Sequence, residues 1–254
     1  MDYGRLTAAY AAMEQTRSRL EIASLLAELF RDTPSEELAA VAHLCLGQLG
    51  PAYDSREIGL SDKSVLRTLA LASGAALVEL QVTYAEAGDI GLVAEEALAS
   101  KAQQPLFEAP LTVSRVWKRL HTLSRETGTG SQERKFRALA ELLHDGTPQD
   151  ARYLCRTAVG KLRLGFSQML LVDGLAEAFG SREERGMVEA AYNRHPDIGW
   201  LAQRAAADFG SLDAVRVEPG IPLRPMLGER LSSAEAVLEK QGGEACFEWK
   251  YDGL

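Results

Sequence analysis

The 254-residue chain is 46% hydrophobic and 25% charged, with a net charge of −8. That composition makes one large or two ordinary globular domains and excludes a disordered chain. It offers no apolar run near the roughly 18 residues of a bilayer span and no secretory leader, so a cytoplasmic protein without membrane contact is expected. Cys45, Cys155 and Cys246 form no CxxC pair, and His43, His121, His144 and His195 form no HExxH cluster, which argues against a disulfide scaffold and a zinc hydrolase.

In chain order, residues 16–30 set Leu20, Ile22, Ala23, Leu26, Leu29 and Phe30 toward one face at helical spacing. Thr33, Pro34 and Glu36 read as the cap and first turn of the next helix. Helical patterns follow over about 61–73, 75–87, 112–126 and 132–144. Thr147-Pro148-Gln149-Asp150 repeats the capping device before a helix that runs toward Val159. Three more patterns cover about 167–179, 182–193 and 197–209, and glycines punctuate the series. Between Thr112 and Leu170 there are eleven Lys or Arg against five acids, so this stretch is +6 and the remainder −14. Such a local basic surplus suits phosphate binding and equally suits solvated helix faces.

The character of the sequence changes after Gly210. Residues 215–225 contain three prolines and read as an extended linker. Ser232 and Glu235 form a capping box for a short helix, and Gly242-Gly243 ends it. Ala245 to Tyr251 alternates strictly, as a strand does, with Ala245, Phe247, Trp249 and Tyr251 on one face and Cys246, Glu248, Lys250 and Asp252 on the other. The aromatic face is expected to be buried. The polar face places carboxylates about 7 Å on either side of Lys250. A salt-bridged strand face explains this row. So does a lysine nucleophile, provided its pocket depresses the amine pKa and metal ions neutralise the phosphate under attack.

Lys250-Tyr251-Asp252-Gly253 resembles the Lys-x-Asp-Gly motif of the covalent nucleotidyltransferases. With its flanks, Glu248-Trp249-Lys250-Tyr251-Asp252-Gly253 is similar to the form typical of ATP-dependent DNA ligases. Gly220 to Leu227 resembles the segment that leads into their adenylation domain. Upstream, Gly88-Asp89-Ile90-Gly91 resembles the Gly-Asp-Leu-Gly turn of archaeal-type ligases. Gly128 to Lys135 resembles their Gly-x-Gly-Ser-x-x-x-Lys segment. Gly160-Lys161-Leu162-Arg163-Leu164-Gly165 resembles the Gly-Lys-Leu-Arg-x-Gly loop of the ligase DNA-binding domain. The segments stand in the family's order over roughly residues 50–254.

The resemblance implies a mainly α chain. A multi-helix DNA-binding domain is expected at 1–210, and the linker, helix and first strand of an incomplete α+β adenylation domain at 211–254. It implies Lys250 as the adenylated nucleophile, with Glu248, Lys250, Asp252 and Gly253 at the ATP. Gly128, Gly130, Ser131, Gly160, Lys161, Arg163 and Gly165 are implied as DNA contacts. ATP and Mg2+ are the implied cofactors, the metal ligands being expected beyond Leu254, as is the arginine that follows the motif glycine in the family. The expectation is therefore an inactive N-terminal part of a ligase for replication, repair and recombination. It would be a monomer on nicked duplex DNA, nucleoid-associated in a prokaryote, with a sliding clamp as a candidate partner. An RNA ligase or capping-type enzyme, and a non-catalytic helical DNA-binding module, are the alternatives. For the glycines, helix capping and turn formation are a second reading, and for Glu248 a salt bridge to Lys250.

Overall fold

The computed structural model describes residues 1–54, 57–100, 110–165, 167–225 and 230–249. Among these the chain is built of α-helices, with one isolated bridge between Asp2 and Thr112 as its β-type pairing. The helices are α1 (Tyr3–Glu14), α2 (Arg19–Asp32), α3 (Leu38–Leu44), α4 (Asp62–Ser73), α5 (Leu77–Ala87), α6 (Ile90–Ala99), α7 (Val113–Arg125), α8 (Ser131–Asp145), α9 (Pro148–Ala158), α10 (Gln168–Phe179), α11 (Arg185–Arg194), α12 (Ile198–Ala207) and α13 (Ala234–Lys240). Short 3-10 turns occupy Arg182–Glu184 and Phe209–Ala214. No described helix is long and apolar enough to cross a membrane.

Met1–Arg224 form one compact unit and Pro225–Leu254 another. Within the first, α2 lies on α10, α6 on α9, α3 on α12 and α4 on α8. The apolar stripe of each helix meets that of its partner, as amphipathic helices require. Tyr3, Tyr10 and Tyr153 are fully buried beside Cys45 and Cys155, and Tyr10 meets Tyr153 edge-on at 5.1 Å between ring centres. Burial pushes the Cys45 thiol up to about 12, and both core cysteines are free thiols. The Thr147 capping box is present. Thr147 and Asp150 exchange bonds of 3.1 and 3.0 Å, and the Thr7 hydroxyl of α1 donates to Asp150 at 2.7 Å. One carboxylate thus starts α9 and ties it to α1.

Five expectations need correction. Thr33 ends α2 and starts nothing. Its hydroxyl donates back to the Leu29 carbonyl at 2.7 Å, Pro34 cannot prolong the helix, and α3 begins only at Leu38. Leu20 is 66% exposed, because at 100° per residue it sits about 120° from the centre of the Ile22–Phe30 stripe. Ser233 caps α13, one residue later than expected, accepting from the Ala236 N–H at 3.2 Å. Residues 244–249 belong to no strand, because a strand needs a hydrogen-bonded neighbour that the described residues do not supply. The aromatic face expected to be buried is open, with Phe247 59% and Trp249 87% exposed. In this second unit α13 buries no residue either.

Candidate nucleic-acid interface

The loop that follows α9 is shaped by its helix ending. Gly160, at φ 70°, closes α9 with the Lys161 N–H on the Arg156 carbonyl at 2.8 Å and its own N–H on Thr157 at 3.0 Å. This is the paired closure that a left-handed residue permits, and glycine adopts it without a Cβ penalty. Beyond it the side chains alternate. Leu162 and Leu164 are buried, and Lys161 and Arg163 are exposed. Arg163 has φ 60° and is the one non-glycine residue in the left-handed region among the described residues, a conformation that costs on the order of 1 kcal/mol. Gly165 is again left-handed at φ 75°. Ser167 then precedes α10 without a side-chain cap bond, so the helix presents its first N–H groups at the end of the loop. Phe166 lies outside the described residues.

Under the loop is a buried ion network. Asp89 caps α6 by accepting the Gly91 N–H at 2.8 Å, and it grips Arg156 of α9 through bonds of 3.1 and 2.7 Å. Arg156 also pairs with Glu14 of α1. Arg152, one helical turn earlier, reaches Glu14 at 2.6 Å and Glu95 at 3.1 Å. Both guanidinium groups lie 5.5 Å from the centre of the Tyr153 ring. Gly91 allows this approach, since a Cβ there would stand 2.7 Å from the Arg152 carbonyl oxygen. Burial by itself would raise the Asp89 carboxyl, but bonds from Arg156 and the Gly91 N–H outweigh it and hold the pKa below the ordinary value. Burial by itself would lower Arg156, and Asp89 and Glu14 push it above its ordinary value instead. Asp89 then reaches upward, with Arg163 at 3.4 Å from its carboxylate. The Gly-Asp-Ile-Gly turn and the Gly-Lys-Leu-Arg loop, 74 residues apart at this contact, are thus one structure joined through Asp89.

The second glycine turn is separate. Gly128 and Gly130 are left-handed at φ 79° and 76°. Gly130 is the residue before α8, and Ser131 is its first residue, bonded through its N–H to the Gly128 carbonyl at 3.1 Å. Arg134 braces the turn by donating to Glu126 at 2.7 Å and to the carbonyls of Thr127 and Thr129 at 3.2 Å. Lys135, at the end of the motif, points inward. It is buried and donates to the Ile58 carbonyl at 2.7 Å. Segment 57–60 in turn lines a cleft of about 440 Å³ with residues 47–52 and 157–160, so both glycine motifs border the same stretch of chain.

The basic surplus of residues 112–170 is largely met inside the protein. Arg115 pairs with Asp145, Arg119 with Glu141, Arg134 with Glu126 and Arg137 with Glu133. Acids from outside the stretch (Glu14, Asp62, Asp89 and Glu95) meet Arg152, Arg156, Lys161 and Arg163. Counting charges along the sequence overstated the basic surface, because it could not see which acids fold against it. It also missed Asp89 and Arg156 as a pair. The i, i+4 spacing of Arg152 and Arg156 on one face of α9 was the signal available.

Glu248 is exposed and lies in neither helix nor strand. Lys250, Asp252 and Gly253 lie outside the described residues. No group of three or more described His, Cys, Asp or Glu side chains is arranged to hold a metal ion.

The family model described as DNA ligase N terminus matches residues 2–176. The whole chain is 42% identical to part of "DNA ligase 2" of Thermofilum pendens and 42% identical to part of the "DNA ligase" of Pyrobaculum arsenaticum, covering 44% of each. It is also 42% identical to "DNA ligase 2" of Korarchaeum cryptofilum, over 96% of this chain and 41% of that protein. The chain therefore spans less than half the length of these curated relatives.

Proposed function

Because the chain belongs to the DNA ligase N terminus family, we propose that it is the DNA-holding helical part of an ATP-dependent DNA ligase, joined to the opening of the adenylation domain. The observation that carries this reading is the 160–165 loop. Two buried leucines and two left-handed glycines fix its backbone, and Lys161 and Arg163 project from it to solvent. Next to them is the uncapped start of α10. Cations beside a helix N-terminus fit the phosphate backbone of a duplex without reading its sequence. Nick sealing requires that, since a break arises at any sequence. The Gly128–Ser131 turn is proposed as a second backbone contact, through the N–H groups of Gly128 and Gly130 and the hydroxyl of Ser131. Lys135 is left out of the contact set because it is turned inward.

The chemistry is proposed from the motif. Lys250 attacks the α-phosphate of ATP and releases pyrophosphate, AMP passes to the 5′-phosphate of the nick, and the 3′-hydroxyl displaces it. Glu248 would accept a hydrogen bond from the adenine amino group, and Asp252 and Gly253 would complete the nucleotide contact. Mg2+ would supply charge neutralisation at the phosphates, and none of the described residues is assigned to it.

Nicked duplex binding by this chain is the direct test of the DNA-holding role. The expectation is salt-sensitive, sequence-independent binding that falls at least 10-fold on Lys161→Glu with Arg163→Glu. Unchanged affinity would remove the loop from the interface. In a protein extended to the length of the relatives, Lys250→Ala should abolish transfer of label from α-phosphate-labelled ATP, and retained labelling would mean another nucleophile.

A further inference from the structure

Two carboxylates face the loop, and they are committed to different degrees. Asp89 spends both oxygens on Arg156 and the Gly91 N–H, beneath the surface. Asp62 is the first residue of α4 and is partly open to solvent. It does not cap that helix, a task that falls to Ser61, which accepts the Ser64 N–H at 3.3 Å. Its Oδ2 stands 3.4 Å from the Lys161 ammonium, with side chains 30% and 55% exposed. Asp62 also faces the phenol of Tyr84 near the end of α5. Burial first, then the bond and charge of Asp62, push that phenol above its ordinary value. The α4 start, the α5 end and the loop thus converge on one solvent-reached acid whose cationic partner is a proposed phosphate ligand.

We infer that Asp62 is an internal competitor for the DNA backbone, occupying Lys161 in the free protein and yielding it when a phosphate arrives, so that it sets how tightly the loop holds DNA. The inference rests on the loop being the DNA contact. A carboxylate and a phosphate oxygen offer the ammonium the same charge-assisted bond, so the phosphate gains only the difference between them. An exposed pair of this kind is weak, and its loss should appear as a modest gain in DNA affinity. A loosely held product leaves more readily, which suits a protein that must move from one break to the next.

The test is a double-mutant cycle on the 254-residue chain, with fluorescently labelled nicked duplex and affinity read by anisotropy. Asp62→Asn should bind roughly 2- to 5-fold tighter. Asp62→Ser, a second polar substitution at the helix start, should gain as much. Lys161→Met should bind more weakly, and adding Asp62→Asn to it should then gain nothing. Equal gains in both backgrounds would mean a long-range charge effect and would overturn the inference while leaving the interface reading in place, as would no gain in either. A wild-type chain that binds no duplex would overturn the interface reading and this inference with it.

Discussion

The loop at 160–165 and the segment at 244–249 both alternate apolar with polar residues, yet only the loop has its apolar side covered. Leu162 and Leu164 are buried, and Phe247 and Trp249 stand open. The difference lies in what surrounds each. Around the loop are the Schellman-type end of α9, the Asp89–Arg156 network and the turn at Gly47, whose added Cβ would come within 3.2 Å of Leu162. The described residues of the second unit offer a seven-residue helix that buries nothing. Alternation in a sequence specifies two faces, and tertiary partners decide whether one of them becomes interior. The loop is therefore a preformed surface, held from below by charges that are themselves buried.

The widest gap between the two regions should appear in stability. Arg156→Ala removes the buried cation that Asp89 and Glu14 share, leaving Glu14 to Arg152 and Asp89 to the more distant Arg163, and should cost about 3–5 kcal/mol in urea unfolding. Trp249→Ala should change stability by less than about 0.5 kcal/mol. A small loss for Arg156→Ala would mean that the network does not carry the loop. Acid sharpens the same contrast. The Asp89 carboxyl titrates below its ordinary value in the folded protein, so its contribution is complete above the ordinary carboxylate range near pH 4 and is lost as pH falls through the lower, folded value. Asp89→Asn should be less stable at neutral pH and should show a shallower loss on acidification. An unchanged slope would show that the carboxylate is not the group responsible.

Arg163→Gly should have only a small effect on stability. It removes the left-handed strain and a half-exposed pair to Asp89 together, and these offset to within about 1 kcal/mol. DNA affinity should nonetheless fall, which separates the loop's conformation from its charge. Equal affinity would mean that Arg163 serves the fold alone.

Much of the fold was legible because its signals are local. The expected helix at 61–73 is Asp62–Ser73, and that at 112–126 is Val113–Arg125. Thr147, Pro148 and Asp150 announced α9 by a chemistry complete within four residues. Thr33 opens on the same Thr-Pro pair, but its hydroxyl found a carbonyl behind it before an N–H ahead. At the α1 start Asp2 is a favoured cap residue by type, yet its side chain makes no cap bond. At the candidate interface, the glycines and the alternation of the loop could be read along the chain. The neutralisation of its neighbours could not, because Glu14, Asp62 and Asp89 meet their partners only after 138, 99 and 67 residues of chain have folded back. Lys135 shows the limit in one side chain, since a lysine at the end of a glycine-rich motif invites a phosphate and here holds a carbonyl.

If the exposed cations of the 160–165 loop meet the DNA backbone, duplex affinity must depend on salt through Lys161 and Arg163. With Lys161→Gln and Arg163→Gln together, the slope of log K against log salt should become shallower by about 2, one unit for each lost phosphate contact. A slope equal to that of the wild-type chain would place the duplex elsewhere on the protein.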